Sequence, residues 1–194
     1  HKGVALELLA AGADVNKIHA IRFRRGIGVS MRHNDFTPLG VAVHNNDKEV
    51  VDVLLEAGAD PSKGPEGFIP LHMAASSGRC VILNHLLLAG ASVSLVDTDG
   101  RSALHHACAY NKHDAVDLLL RHNASVTLLC NNGLSPVDVV GADVLALRQR
   151  SHFYHPSTLN TAETSAVDVI CDMLRAASAW GRRGWLVMMR SRPL

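Results

Sequence analysis

The sequence predicts an all-α solenoid in which helix-turn-helix units stack on one another, with turns projecting as loops and a further helical segment after the stack. Three observations predict this fold. One short pattern recurs at a nearly constant step, and the apolar residues that follow it fall at helical spacing. A second marker recurs in phase with it, at Gly58–Ala59, Gly90–Ala91 and Asn123–Ala124. Aromatic residues make up only 4% of the chain, which fits helices that pack through small and aliphatic side chains.

The first marker begins each unit. It occurs at 37–39, 69–71, 102–104 and 135–137, at steps of 32, 33 and 33 residues. Thr37, Ser102 and Ser135 can each cap a helix by accepting a backbone N–H bond. Proline at positions 38, 70 and 136 suits the first helical position, where a missing N–H costs nothing. A short first helix is therefore expected after each marker.

Turns separate the helices of each unit. Gly78 is expected in the turn between first and second helix, with Asn46 and Asn111 in the equivalent places, because Asn best replaces Gly in left-handed backbone. Each second helix is expected to end at Gly58, Gly90 or Asn123. Its apolar face is predicted to comprise Val50, Val51, Leu54 and Leu55, then Val81, Ile82, Leu86 and Leu87, then Ala115, Val116, Leu119 and Leu120.

This unit resembles the ankyrin repeat, whose first half reads G-x-T-P-L-H-x-A-A. Residues 67–75 fit that half. Residues 8–16 and 54–60 fit the second half, which ends in G-A-D-V-N. The resemblance covers residues 1–147. It divides them into a half repeat at 1–16, full repeats at about 33–64, 65–97 and 98–130, and a degenerate unit at 131–147. Four positions depart from the motif. Gly40 and Asp138 stand where the motif has His, Ile69 where it has the capping Thr, and Asp35 where it has a turn Gly.

Three segments lie outside the repeats. Residues 17–32 are an insertion in which three arginines surround Phe23, either as a solvated loop or as a grip on an acidic partner or phosphate. After a linker at 148–160, the basic tail 161–194 is expected to hold an amphipathic helix at about 161–179, with Val167, Ile170, Cys171 and Leu174 on one face. Three alternatives stay open for the surface that the arginine-flanked end of the tail contacts: the last repeat, a partner protein, or an anionic membrane.

Charge and cysteine content restrict the classes of partner and the compartments that the sequence favours. The formal net charge is +1, which does not favour nucleic acid. Residues 1–147 carry 12 basic and 15 acidic residues, and residues 148–194 carry 7 and 3, so an acidic body precedes a basic tail. Four cysteines without metal or disulfide spacing indicate a reducing compartment, cytoplasmic or nuclear. No apolar run reaches transmembrane length, and the start in mid-pattern suggests a fragment.

No catalytic, cofactor-binding or metal-binding residue is expected. His105–His106 is the most suggestive metal pair, but adjacent helical residues point in different directions. The resemblance implies a structural role for His72 and His105, which bond the backbone of neighbouring loops. No nucleophile lies in a recognisable motif, and residues 26–28 lack the rest of a phosphate-binding loop. A small-molecule substrate is therefore not expected.

The resemblance implies that the chain binds another protein through its concave groove and turn tips. The sites that the repeat pattern leaves exposed give the predicted contact residues: Phe36, His44, Phe68, Met73, Ser76, Ser77, Thr98, Asp99, Arg101, His106 and Tyr110. Two alternatives stay open. The chain is an adaptor whose tail recruits a second protein, such as a ubiquitin ligase component, or it is the ankyrin region of a larger enzyme or channel.

Overall fold

The fold is described by a computed structural model, which covers residues 2–20, 35–64, 69–140 and 167–179. The described helices are α1 Lys2–Ala10, α2 Pro38–His44, α3 Lys48–Glu56, α4 Pro70–Ser77, α5 Cys80–Leu88, α6 Ala103–Ala109, α7 His113–Arg121 and α8 at 167–179. Two short strands, β1 His19–Ala20 and β2 Asp35–Phe36, form an antiparallel pair. The predicted all-α solenoid is confirmed.

The helices form two rows. The first helices of successive units, α2, α4 and α6, pack side by side, and the second helices α3, α5 and α7 pack in a parallel row. α1 packs against α3 and so continues the second row. The two helices of each unit pack on each other and on the neighbouring units, which makes one continuous core along the stack.

Capping follows the sequence at some helices and departs from it at others. Thr37 Oγ1 accepts the Gly40 N–H at 3.1 Å, a bond worth about 1 kcal/mol. Ile69 gives α4 no side-chain cap bond, and Pro70 is its first residue. Ser102 donates its backbone N–H to His105 Nδ1 at 3.2 Å, so this pair closes the start of α6. After Ser135, residues 136–140 form turns rather than an α-helix.

The turns have the predicted left-handed backbone. Asn46, Gly78 and Asn111 have φ values of 58°, 68° and 54°. At the ends of the second helices, Gly58, Gly90 and Asn123 have φ values of 84°, 93° and 64°. These six positions share one conformation from unit to unit, so the chain reverses direction in the same way each time.

The core contains the predicted apolar residues with one correction. Val81 is 57% exposed, whereas Leu83 is fully buried. The prediction for Val81 was wrong because α5 begins 32 residues after α3, so Ile82 and Leu83 take the places of Val50 and Val51. The other residues predicted for the second helices lie in the core cluster or against it.

The ends of the insertion come together. His19 pairs with Phe36 and Ala20 with Asp35, so the segment leaves and rejoins the stack at one place. Residues 21–34, which include the predicted arginine cluster, lie outside the described residues, as do the linker and residues 141–147 of the degenerate unit.

α8 covers the last repeats. Ile170 and Leu174 are completely buried, Met173 is 9% exposed, and all three belong to the same core cluster as α6 and α7. The amphipathic helix predicted in the tail is therefore present at 167–179, with the predicted face turned inward. None of the helices in the described part of the chain has the length and hydrophobicity needed to cross a bilayer.

Candidate functional site

The first helices place equivalent residues in rows across the stack. Because α2, α4 and α6 start at Pro38, Pro70 and Ala103, positions three and seven residues later correspond from unit to unit. Val41, Met73 and His106 form one row and are all half-buried. Asn45, Ser77 and Tyr110 form the next row and are all exposed. We call the second set the exposed row.

Most of the predicted contact residues lie on this face or beside it. Ser77 and Tyr110 belong to the exposed row, and Tyr110 is 40% exposed. Thr98 is exposed at the tip of the turn before α6. The remaining accessible residues are half-buried: His44, Met73, Ser76, Asp99 and His106. Phe68 lies outside the described residues.

Phe36 does not lie at the surface. It was expected to be exposed, but its side chain is only 1% exposed. The reason is Gly40, which stands where the repeat motif has His. A Cβ atom at Gly40 would lie 3.4 Å from Phe36 Cδ1, so the ring fills the space that the missing side chain leaves.

Arg101 is also buried, at 3% exposure, and the expectation that it faces a partner was wrong. A backbone bridge between Val96 and Ser102 closes the turn that carries it. Its N–H donates to Asp97 Oδ1 at 2.9 Å, and its Nη1 lies 3.6 Å from Asp99 Oδ2. The side chain therefore lies under the turn rather than on its tip.

The turn tips are linked from repeat to repeat. Asn131 donates its side-chain N–H to Thr98 O at 3.0 Å and its backbone N–H to Asp99 O at 2.9 Å. At the first junction of the stack, Asp60 N–H donates to Asn16 Oδ1 at 2.8 Å and so links the half repeat to the first full repeat. These bonds hold the turn edge of the face in a fixed register.

The motif histidines have the structural role that the resemblance implied. His72 Nε2 lies 3.0 Å from Leu95 O, and His105 Nε2 lies 3.2 Å from Leu134 O. The bond from His72 reaches the loop at the end of its own unit, and the bond from His105 reaches the next unit. Because a carbonyl oxygen only accepts, both Nε2 atoms carry the proton.

A cluster that sequence reasoning missed lies beneath the half-buried row. His72, Asp97 and His106 each offer a potential ligand atom within 4.8 Å of the others. His106 Nε2 donates to Asp97 Oδ2 at 2.8 Å, and the His72 and His106 rings stack with centroids 5.1 Å apart. His72 is the motif His of its repeat, and His106 directly follows the motif His of the next repeat. The constant step between repeats therefore brings the two rings together. That step was the available signal.

Burial and neighbouring charges set the ionisation of this cluster. Burial, with the nearby His106, lowers the pKa of His72 to about 4, so His72 is neutral at pH 7. Burial alone would raise the pKa of Asp97, but the hydrogen bonds from His106 and the Arg101 backbone outweigh it and bring the pKa to about 2. Asp97 is therefore a carboxylate at pH 7.

An apolar cavity of about 650 Å³ lies at the other end of the face. It opens between α1 and the α2–α3 unit. Its walls include Val4 and Leu8 of α1, Val41 of the half-buried row and Asn45 of the exposed row. The face of the first helices therefore has the polar and aromatic residues of the exposed row, and an apolar cavity at one end.

Comparison with known proteins agrees with the repeat architecture. The sequence profile described as ankyrin repeats (3 copies) matches residues 1–94 and 71–140. Alpha-latroinsectotoxin-Lt1a of Latrodectus tredecimguttatus is 34% identical over 122 residues, which are 60% of this chain and 8% of the toxin. An ankyrin repeat protein of fowlpox virus is 29% identical over 144 residues, 68% of this chain and 42% of the viral protein.

Some relatives have an enzyme's name. A glycerophosphocholine phosphodiesterase of Candida albicans is 36% identical over 98 residues, which are 50% of this chain and 8% of that protein. The chain spans less than half the length of each of these three relatives. The similarity therefore extends to the repeats and not to the whole of any of these proteins.

Proposed function

Because this chain belongs to the ankyrin-repeat family, whose repeats are in general protein-interaction modules, we propose that it binds a partner protein along the exposed row. One observation carries the proposal: Asn45, Ser77 and Tyr110 stay exposed in three successive repeats, although every helix around them is packed. A stripe of equivalent, accessible side chains on a fixed scaffold is a surface that a partner segment can follow.

The chemistry of the stripe suits a polar segment with an apolar anchor. Tyr110 offers an aromatic face and a hydroxyl, the combination enriched at binding hot spots. Asn45 and Ser77 offer hydrogen bonds, and the neighbouring Met73 adapts to irregular shapes. The row itself carries no formal charge, so we expect shape and hydrogen bonds to matter more than ionic strength.

The flanks of the row supply specificity and apolar contact. At one edge, Thr98 and Asp99 lie on a turn that Asn131 holds in place. At the end of the row, the cavity beside Asn45 can take an apolar side chain of the partner. Removing such a side chain from water is worth about 1.5–3 kcal/mol. His44 and Ser76 complete the surface we assign to the partner.

The test is affinity capture from a lysate of the source cells with the 194-residue chain as bait. Ser77→Arg with Tyr110→Ala changes only exposed positions of the row. The matched control, Val81→Ala with Leu88→Ala, removes side chains that are 57% and 73% exposed on the second-helix row. We expect a protein retained by the unchanged chain and the control but lost from the row variant. Equal retention by both variants would overturn the assignment.

We propose no catalytic role for these repeats, because Ser102, whose hydroxyl contacts His105 Nδ1 at 2.9 Å, is buried and does not lie on their accessible face. An adaptor function would need a second partner on the tail. The burial of Ile170 and Leu174 favours a structural role for the described part of that segment. All four cysteines are free, which supports our placing the chain in the cytoplasm or nucleus.

A further inference from the structure

The geometry points to a divalent transition-metal site, of the kind that takes Zn²⁺, formed by His72, Asp97 and His106. The three residues come from two successive repeats: His72 from α4, and Asp97 and His106 from the turn before α6 and from α6 itself. Their potential ligand atoms lie within 4.8 Å of one another. Two imidazoles and a carboxylate are a ligand set that binds Zn²⁺ with one position left for water.

An unpartnered buried nitrogen is the strongest sign of a ligand. His72 is 1% exposed, and its Nδ1 has no hydrogen-bond partner. Since Nε2 carries the proton and donates to Leu95 O, Nδ1 holds a lone pair in a closed environment. Leaving a buried acceptor unsatisfied costs about 1–3 kcal/mol. Ligation of the metal ion through Nδ1 would satisfy it, and the bond from Nε2 to Leu95 O would then be the backbone contact that fixes the ring of a metal-ligating His.

The carboxylate is already oriented. Asp97 Oδ1 accepts the backbone N–H groups of Asp99 and Arg101, both at 2.9 Å. This leaves Oδ2 directed at His106 Nε2, 2.8 Å away, with both side chains largely buried at 5% and 12% exposure. A metal ion would replace the proton between these two atoms, and the His106 ring would then have to adopt the tautomer that carries its proton on Nδ1.

The distances require a small adjustment. Ligand atoms around tetrahedral Zn²⁺ lie about 3.3 Å apart, given metal–ligand bonds of roughly 2.0–2.1 Å. The His106–Asp97 contact of 2.8 Å must open slightly, and the widest separation, at most 4.8 Å, must close. We expect rotation of the Asp97 and His106 side chains, which are 5% and 12% exposed, to make most of this change.

His105 cannot take part, although it is the sequence neighbour of His106. Its Nε2 bonds Leu134 O, and its Nδ1 contacts both the backbone N–H and the hydroxyl of Ser102. Both ring nitrogens are thus engaged. Of the two motif histidines, only His72 has a nitrogen to offer, so the metal pair is His72 with His106 rather than the adjacent pair in the sequence.

The experiment titrates Zn²⁺ into the chelator-treated 194-residue chain by calorimetry and records the absorption spectrum with Co²⁺ in place of Zn²⁺. We expect one saturable site per chain and the intense visible bands of tetrahedral Co²⁺. His106→Gln and Asp97→Asn should each weaken Zn²⁺ binding at least tenfold. Asn at 97 can still accept the two backbone N–H groups, so this variant keeps the turn.

The matched control is His85→Gln. His85 Nδ1 also contacts a carboxylate, that of Asp52, but no third ligand in the described part of the chain joins them. The control should bind Zn²⁺ as the unchanged chain does. The site would be overturned if the unchanged chain showed no bands of tetrahedral Co²⁺. It would also be overturned if Zn²⁺ binding survived in His106→Gln and was lost in His85→Gln. The first result does not depend on how well any variant folds.

Discussion

At the scale of single residues, neighbours decide what a motif position does. His72 and His105 occupy the same place in their repeats, yet His105 uses both ring nitrogens and His72 only one. At the third equivalent place, Gly40 has no side chain, and Phe36 occupies the space instead. The same motif position thus holds a residue that bonds the next loop, a candidate metal ligand, or a glycine that lies beside an aromatic ring.

The turn at Gly100 allows a test of this dependence on neighbours. Its φ is 74°, and a Cβ atom there would lie 2.5 Å from Asn131 Oδ1 and 2.9 Å from Asn131 N. Gly90 has a φ of 93° but nothing within 4 Å of such an atom. Both Gly→Ala changes cost about 1–2 kcal/mol for left-handed backbone, and only Gly100→Ala adds a clash with the next repeat.

We therefore expect Gly100→Ala to lower the free energy of unfolding by about 1–3 kcal/mol more than Gly90→Ala. Urea unfolding of the two variants and the unchanged chain measures the difference. Equal losses would mean that Asn131 moves aside at no cost and that the turn tips are not held in register.

At the scale of helices and turns, the sequence predicts what is decided locally. The left-handed residues and the prolines at the start of α2 and α4 follow from the conformational limits of Asn, Gly and Pro. What depends on packing between units was not predictable. Val81 was placed one residue out of register, and the burial of Phe36 and Arg101 depends on a missing side chain and a closed turn.

Packing also makes helices differ in burial where the repeat pattern alone does not distinguish them. α1 has no buried residue and exposes Val4 at 61% and Leu8 at 57%, whereas six residues of α6 are buried. We expect the amides of α1 to exchange with deuterium at least about tenfold faster than those of α6, because few buried contacts resist local opening. Mass spectrometry of peptides covering the two helices measures this. Similar protection would mean that α1 is held by contacts beyond its packing on α3.

At the scale of the whole molecule, stacking creates surfaces that no single repeat contains. The exposed row could be predicted in part, since Ser77 and Tyr110 follow from the repeat register. The cluster of His72, Asp97 and His106 was missed, because the repeat step aligns its residues in the sequence but does not give the distance between two packed repeats. Both features lie on the layer of first helices, so a metal ion beneath the half-buried row would stiffen the surface that we assign to the partner.

The end of the stack provides the last prediction. A solenoid needs a cover for the apolar face of its final unit, and here α8 places Ile170 and Leu174 in the common core. Ile170→Ala should lower the free energy of unfolding by about 2–5 kcal/mol, as expected for a buried aliphatic side chain in a packed core. Val169→Ala is the control, because Val169 is 45% exposed on the same helix, and its effect should stay within about 0.5 kcal/mol. Both values come from urea unfolding followed by circular dichroism. If the two variants lost the same stability, α8 would be an independent segment, and the tail would again be open to a second partner.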